Sequence, residues 1–281
     1  MIWQRLSTVF ILLPIGIFLV FTRFFNGTPF FLAALITAIM IANEIYALFE
    51  KRGFSFNLWL HTIILTISYI SFYLYGMGSY DMNYLFTIQV GIISTYIIII
   101  MSIESISGRF DNSMENITLP VFSYILLGVF MPLLVVLKMM DLSGWLLSIL
   151  LIITFLTDTG GWLFGKLFGK HKIKFLSSPN KTSEGFAGAV LMGLAGGAVI
   201  YLAEVIFPLP SKFTLFEISL ISLAVIVSGI AGDLGESALK RWAHLKDSGD
   251  LLPGHGGFFD RFDSLIFSTP VFFVLIKLLG H

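Results

Sequence analysis

Between Gly232 and Asp263 acids and bases alternate at short range around a glycine-rich turn. Gly232-Asp233-Leu234-Gly235-Glu236-Ser237 is followed by Leu239-Lys240-Arg241, by Lys246-Asp247, and by Pro253-Gly254-His255-Gly256-Gly257-Phe258-Phe259-Asp260-Arg261-Phe262-Asp263. The carboxylates of Asp233, Asp260 and Asp263 converge if the chain folds back on itself here. Hard oxygen ligands of this kind suit magnesium, which takes one or two protein carboxylates together with water and substrate phosphates. Asp260 and Asp263 are three apart, so a helix beginning there presents both on one face. Lys240, Arg241, Lys246 and Arg261 are suited to hold phosphate oxygens, the arginines bidentately. In Gly254-His255-Gly256-Gly257 the backbone amides can approach an anion closely. Together these residues describe metal-assisted phosphoryl or nucleotidyl transfer. An ordinary charge run is a solvated loop of surface ion pairs; carboxylates, cations and paired glycines interleaved between two apolar spans favour the reactive reading.

A second block runs Asp158-Thr159-Gly160-Gly161-Trp162-Leu163-Phe164-Gly165-Lys166-Leu167-Phe168-Gly169-Lys170, then Ser177-Ser178-Pro179-Asn180-Lys181-Thr182-Ser183-Glu184-Gly185. Asp158 follows an apolar run with no basic neighbour. An ionisable group at such depth is costly unless paired, metal-bound or wet, which makes it a functional candidate; the competing reading is a helix end that reaches the headgroups early. The Lys166 to Lys174 cluster fits a nucleotide and fits an anionic lipid surface equally well. Thr182 or Ser183 is placed to cap the helix that follows.

The elements that must carry these groups follow from composition. Of 281 residues 57% are apolar and 12% charged, with mean hydropathy +0.92 and 17 basic against 17 acidic side chains. No soluble core of this length could hide so many Phe, Ile and Leu side chains, whereas a bilayer is itself the apolar solvent. Runs long enough to cross it lie roughly at 6–22, 29–49, 57–76, 83–102, 117–137, 142–164, 185–207, 214–233 and 264–280. The expectation is an all-α polytopic membrane protein of about nine transmembrane helices. The first run reads as an uncleaved anchor, because no small-residue cleavage site follows it before Phe30-Phe31. Zero cysteines exclude a disulfide framework, a thiolate zinc site and a cysteine nucleophile. Zero net charge argues against nucleic acid as a partner.

An odd number of spans puts the loops after the second, fourth, sixth and eighth on one side. Thirteen Lys and Arg residues fall on that side and four, Arg23, Lys138, Lys212 and Lys277, on the other, which makes the first side cytoplasmic. The same parity brings 158–184 and 233–263 together, and those segments hold half the charge in about a fifth of the chain. Residues 1–140 read as a transmembrane scaffold and 141–281 as the catalytic part, within one embedded domain. Asn43, Glu44 and Glu204 are either buried polar contacts or interfacial. His61 and His244 read as structural or exposed. Ala189, Gly193 and Gly197 form a small-residue stripe for close helix packing within the chain.

The block from Ser237 to Asp263 resembles the signature of the membrane phosphatidate cytidylyltransferases, or CDP-diacylglycerol synthases: S-x-apolar-K-R-x4-K-D-x-small-x2-apolar-P-x-H-G-G-apolar-x-D-R-apolar-D. Ser237, Leu239, Lys240, Arg241, Lys246, Asp247, Gly249, Leu252, Pro253, His255, Gly256, Gly257, Phe258, Asp260, Arg261, Phe262 and Asp263 meet every defined position. The upstream block resembles that family's D-S-x-A-Y-x-x-G-[KR]-x-F-G-[KR] and S-P-K-K-T-x-E-G segments through Asp158, Gly165, Lys166, Phe168, Gly169, Lys170, Ser178, Pro179, Lys181, Thr182, Glu184 and Gly185. It departs at Gly161-Trp162, Asn180 and Ser183, where Ala-Tyr, Lys and Trp are the usual residues.

The resemblance implies condensation of CTP with phosphatidate to CDP-diacylglycerol and pyrophosphate, by a multi-pass enzyme of the plasma (inner) membrane that is commonly a homodimer. It implies magnesium, with room for a second cation, held by Asp233, Asp260 and Asp263. Lys240, Arg241, Lys246 and Arg261 would grip phosphates, and Asp158, Lys166, Lys170, Ser178, Lys181, Glu184, Ser237, His255, Gly256 and Gly257 would complete the substrate pocket. Two rivals differ in chemistry. A CTP-dependent polyprenol or other lipid kinase would deprotonate an alcohol and release CDP. An ion or solute transporter would place carboxylates at the bilayer midplane rather than at one end.

Overall fold

The fold, taken from a computed structural model, is described for residues 13–108, 111–207, 209–249 and 256–281. Among these the chain is helical and carries one isolated antiparallel bridge, between Lys172 and Thr182. Helix α1 includes residues 13–21. It is followed by α2 (Thr28–Glu50), α3 (Leu58–Gly76), α4 (Met82–Ser107), α5 (Ser113–Tyr124), a π-helical stretch (Ile125–Phe130), α6 (Leu133–Met140), α7 (Trp145–Phe168), α8 (Ser183–Ile206), α9 (Leu215–Trp242) and α10 (Phe259–Leu278). Seven helical segments among the described residues are long and apolar enough to span a bilayer. Helix α10 is long enough, but Asp260, Arg261 and Asp263 crowd its first five residues. The protein is an all-α, multi-pass membrane protein.

Local sequence sets the starts of these helices. Asn57 and Asp81 accept the backbone N–H of Leu60 and Tyr84, each at 3.0 Å, and Thr214 with Glu217 forms a capping box at α9. Thr182 caps α8 through Gly185 N at 3.1 Å. In the fifth span the ladder slips to a wider turn before Pro132, which has no N–H to give. Met131 N reaches back to Leu126 O, and the Gly128 carbonyl accepts Ser68 Oγ at 2.5 Å instead, so the carbonyl stays satisfied in lipid.

Helices α7 to α10 build the part that holds the charged residues. Helices α7 and α8 approach backbone to backbone: a Cβ on Gly160 would lie 2.4 Å from the Gly188 carbonyl, and one on Gly188 2.3 Å from Phe164 Cβ. Gly193 and Gly197 are likewise filled by Thr157, Ile226 and Ser222 of this chain, so the stripe serves intramolecular packing. Several interior polar groups of the other helices are paired, although Tyr69 Oη and Asn116 Oδ1 are buried without a hydrogen-bond partner. His61 is fully buried against Tyr96 Oη (2.7 Å) and Ser123 Oγ (3.1 Å). Glu204 accepts Trp145 Nε1, Ser211 Oγ and Phe213 N. Lys138, also fully buried, donates to the carbonyls of Val20 (2.6 Å) and Leu142 (2.8 Å).

Among the described residues hydropathy places the spans from 29–49 onward well and three helix ends poorly, while residues 6–12 of the first expected run, 6–22, lie outside those residues. Helix α4 runs on from the expected end at 102 to Ser107. Helix α9 runs on from the expected end at 233 to Trp242, and α10 begins at Phe259 rather than 264. Hydropathy marks where the hydrocarbon ends, not where the backbone ladder ends, and charged i,i+4 pairs such as Glu236 and Lys240 let a helix continue beyond it.

Candidate active site

One end of α7 to α10 encloses a cavity of about 510 Å³. Asp158, Trp162 and Lys166 of α7 line it, with Ser178, Asn180 and Lys181 of the following loop, Asp233 of α9, and Asp260, Arg261, Asp263 and Ser264 of α10. Continuation of α9 and the early start of α10 put these carboxylates on helix faces rather than on a mobile loop. Asp233 pairs with Lys181, across the gap between α9 and the 169–182 segment. Asp158 accepts Ser264 Oγ at 3.2 Å, and Asp263 accepts the N–H of Ser264 at 2.6 Å. Asp158, Asp233 and Asp263 lie within electrostatic reach of one another.

Asp260 is differently placed. Its Oδ2 accepts Ser248 N (2.9 Å), Ser248 Oγ (2.8 Å) and Gly257 N (2.8 Å). Its Oδ1 accepts Lys240 Nζ at 2.5 Å, and the same ammonium meets Glu236 Oε2 at 2.7 Å. Lys240 is therefore a bridge between two carboxylates in this arrangement, not a cation open to phosphate. The glycine amides expected to cradle a substrate anion turn instead, at Gly257, to the protein's own Asp260. Gly256 adopts φ +81°, and a Cβ there would meet Asp260 Oδ2 at 2.8 Å, so the turn requires glycine.

Other expected residues brace the site from outside the cavity lining. Glu184 holds the loop after α7 through His171 N (3.3 and 3.2 Å) and His171 Nδ1 (2.5 Å). Arg241 Nε donates to Ser177 O and its Nη1 to Leu245 O, each at 3.2 Å, tying two loops together. Lys170 and Lys246 are exposed, and Ser237 sits half-buried on α9. His255 lies outside the described residues. Lys166, on the cavity wall, sets its ammonium 4.9 Å from the Trp162 ring centre. Sequence reasoning missed Glu236, Ser248 and Ser264. The i,i+4 spacing of Glu236 to Lys240 was a usable signal; Ser248 and Ser264 carry none.

The chain matches the Cytidylyltransferase family over residues 3–279. It is similar to the phosphatidate cytidylyltransferase of Staphylococcus saprophyticus, 32% identical over 238 residues, 76% of this chain and 90% of that protein. The chain belongs to the cytidylyltransferase family. It is also similar to the phosphatidate cytidylyltransferases of Bacillus subtilis, 46% identical over 122 residues (43% of this chain, 44% of that one), and of Staphylococcus aureus, 45% over 127 residues (44% and 46%).

A cytidylyltransferase must hold a triphosphate, and the cavity wall can be tested for a cation to accompany it. Among the described residues no group of three or more His, Cys, Asp or Glu side chains forms a ready-made cage. The donor set nevertheless fits magnesium, which takes few protein ligands when phosphates supply the rest. Four carboxylates line the cavity against Lys166, Lys181 and Arg261. The Asp263 carboxylate accepts the Ser264 N–H on Oδ1, Asp233 has one lysine partner, and Asp260 retains acceptor capacity on Oδ1.

Proposed function

We propose that this protein transfers the cytidylyl group of CTP to phosphatidate, giving CDP-diacylglycerol and pyrophosphate, at the cytoplasmic face of the inner (plasma) membrane. The observation that carries the reading is the cavity at one end of α7 to α10, where four carboxylates face three cations in a chain of this family. A phosphate oxygen of phosphatidate attacks the α-phosphorus of CTP, and the bond to the β-phosphate oxygen breaks. That nucleophile is already an anion, so the barrier is charge repulsion and alignment more than proton removal.

Magnesium bound by Asp233, Asp263 and Oδ1 of Asp260 would supply neutralisation of the triphosphate and of departing pyrophosphate. Lys181 and Arg261 sit on the same wall and gather phosphate oxygens beside those carboxylates. Lys166 and Trp162 lie on the exposed face of α7, which suits the entry of a lipid headgroup whose acyl chains stay in the bilayer. The Lys181 to Asp233 pair keeps the lysine aimed across the cavity before substrate arrives.

The test is product analysis with purified protein, phosphatidate, magnesium and CTP labelled separately at its α- and γ-phosphates. The expected outcome is α-label in the lipid phase, γ-label in pyrophosphate, and complete loss of both with EDTA. γ-Label in the lipid with release of CDP would establish a lipid kinase instead.

A further inference from the structure

Glu44 belongs to α2, in the half of the chain read as scaffold, yet it is buried against the loop that carries the site. Its Oε1 accepts the N–H of Phe258 at 2.8 Å, and its Oε2 accepts the N–H of Phe259 at 2.8 Å and lies 3.1 Å from Ser248 Oγ. The first N–H groups of a helix have no partner inside it, and α10 has no side-chain cap of its own at Phe258. A local serine or aspartate would have satisfied those donors. A carboxylate from α2 satisfies them and also fixes where α10 begins relative to the first half of the molecule.

The chain is shaped around this carboxylate. A Cβ on Gly257 would fall 2.5 Å from Glu44 Oε2 and 2.2 Å from Ser248 Oγ, and one on Gly249 3.0 Å from Glu44 Oε1. Ser248 shares its hydroxyl between Glu44 and Asp260 Oδ2, the oxygen that also takes Ser248 N and Gly257 N. Asp260 Oδ2 is thereby tied to Glu44 through Ser248, and Oδ1 is left on the side of Lys240. We propose that Glu44 is a positioning residue of the reaction: it clamps Ser248 and the start of α10 at Phe258 and Phe259 to α2 and so aims Asp260 at the cavity. This rests on the cytidylyl-transfer reading for its kinetic consequence, not for its geometry.

The experiment uses the full chain in detergent, with Glu44→Gln, Ser248→Ala and the double variant. Glutamine keeps the shape but turns an NH2 toward backbone donors. In Glu44→Gln, amide hydrogen exchange at Phe258 and Phe259 is expected to quicken at least tenfold without substrate. The kcat per folded molecule, counted by size exclusion, is expected to fall 10- to 100-fold, since small misplacements of a reacting group cost about that much. Ser248→Ala lowers kcat by a smaller factor, and the double variant loses no more than Glu44→Gln alone, because both act through one connection. Unchanged exchange, unchanged kcat per folded molecule, or multiplicative losses would overturn the proposal. If Glu44→Gln does not fold, Ser248→Ala with unchanged kcat overturns it. Absence of cytidylyl transfer in the unsubstituted protein would remove the functional reading, while exchange at Phe258 and Phe259 still decides whether Glu44 holds the turn.

Discussion

Replacing Lys240 with methionine separates a structural cation from a phosphate ligand. The lysine is 13% exposed and bridges Glu236, 1% exposed, at 2.7 Å and Asp260, 9% exposed, at 2.5 Å. Methionine fills most of the same space but removes two charge-assisted hydrogen bonds, each worth about 1.5–3 kcal/mol. It also leaves two carboxylates facing one another with no cation between them. Glu236 Oε1 is already without a partner, so the charge left behind cannot be redistributed locally. Removing one partner of a buried ion pair typically costs about 3–5 kcal/mol, and the same range applies here. At roughly 2–4 °C per kcal/mol, the apparent melting temperature in detergent should fall by about 6–20 °C. Lys240→Met/Glu236→Gln removes one of the unpaired carboxylates and should recover at least half of that loss, without recovering turnover. Thermal unfolding monitored by size exclusion, alongside kcat, reads both quantities. A Lys240→Met protein that melts with the unsubstituted one would refute the bridging role and return Lys240 to the phosphate ligands. A double variant no more stable than the single would show that charge pairing is not what the lysine provides.

Two further outcomes follow from the same geometry. Asp233→Asn keeps the size of a half-exposed side chain whose single ion pair contributes at most about 1 kcal/mol, so expression, insertion and melting should stay near normal while turnover falls at least 100-fold. Normal turnover in that variant would remove Asp233 from the proposed cation set. Gly188→Ala puts a Cβ 2.3 Å from Phe164 Cβ and 2.7 Å from the Gly160 carbonyl, and overpacking of this kind costs about 1–3 kcal/mol. It should lower the melting temperature by a few degrees and widen the spacing of α7 and α8; crosslinking between engineered cysteines at their lipid-facing positions would detect the change, and unaltered crosslinking and stability would contradict the close approach.

The class of molecule and the position of its chemistry can be read from the order of residues. Apolar runs of bilayer length are read directly, because each span must satisfy its own backbone and face lipid whatever its neighbours do. The cap at Thr182 is a local contact and was legible for the same reason; Asn57, Asp81 and Thr214 cap their helices in the same local way. The acidic and basic residues around 158–184 and 233–263 announced themselves by standing out against apolar surroundings. Which of those charges meet each other depends on how the helices pack. Lys240 turned to Glu236 and Asp260, Glu184 to His171, and Arg241 to the Ser177 carbonyl, leaving Lys166, Lys181 and Arg261 on the cavity wall. Glu44 was an undecided polar residue of the second span until α10 was seen to begin on its carboxylate. A hydrogen bond between residues over 200 positions apart leaves no periodic trace in either segment. Its existence depends on how two helices are set against one another, and helix packing is settled only when the whole bundle is assembled.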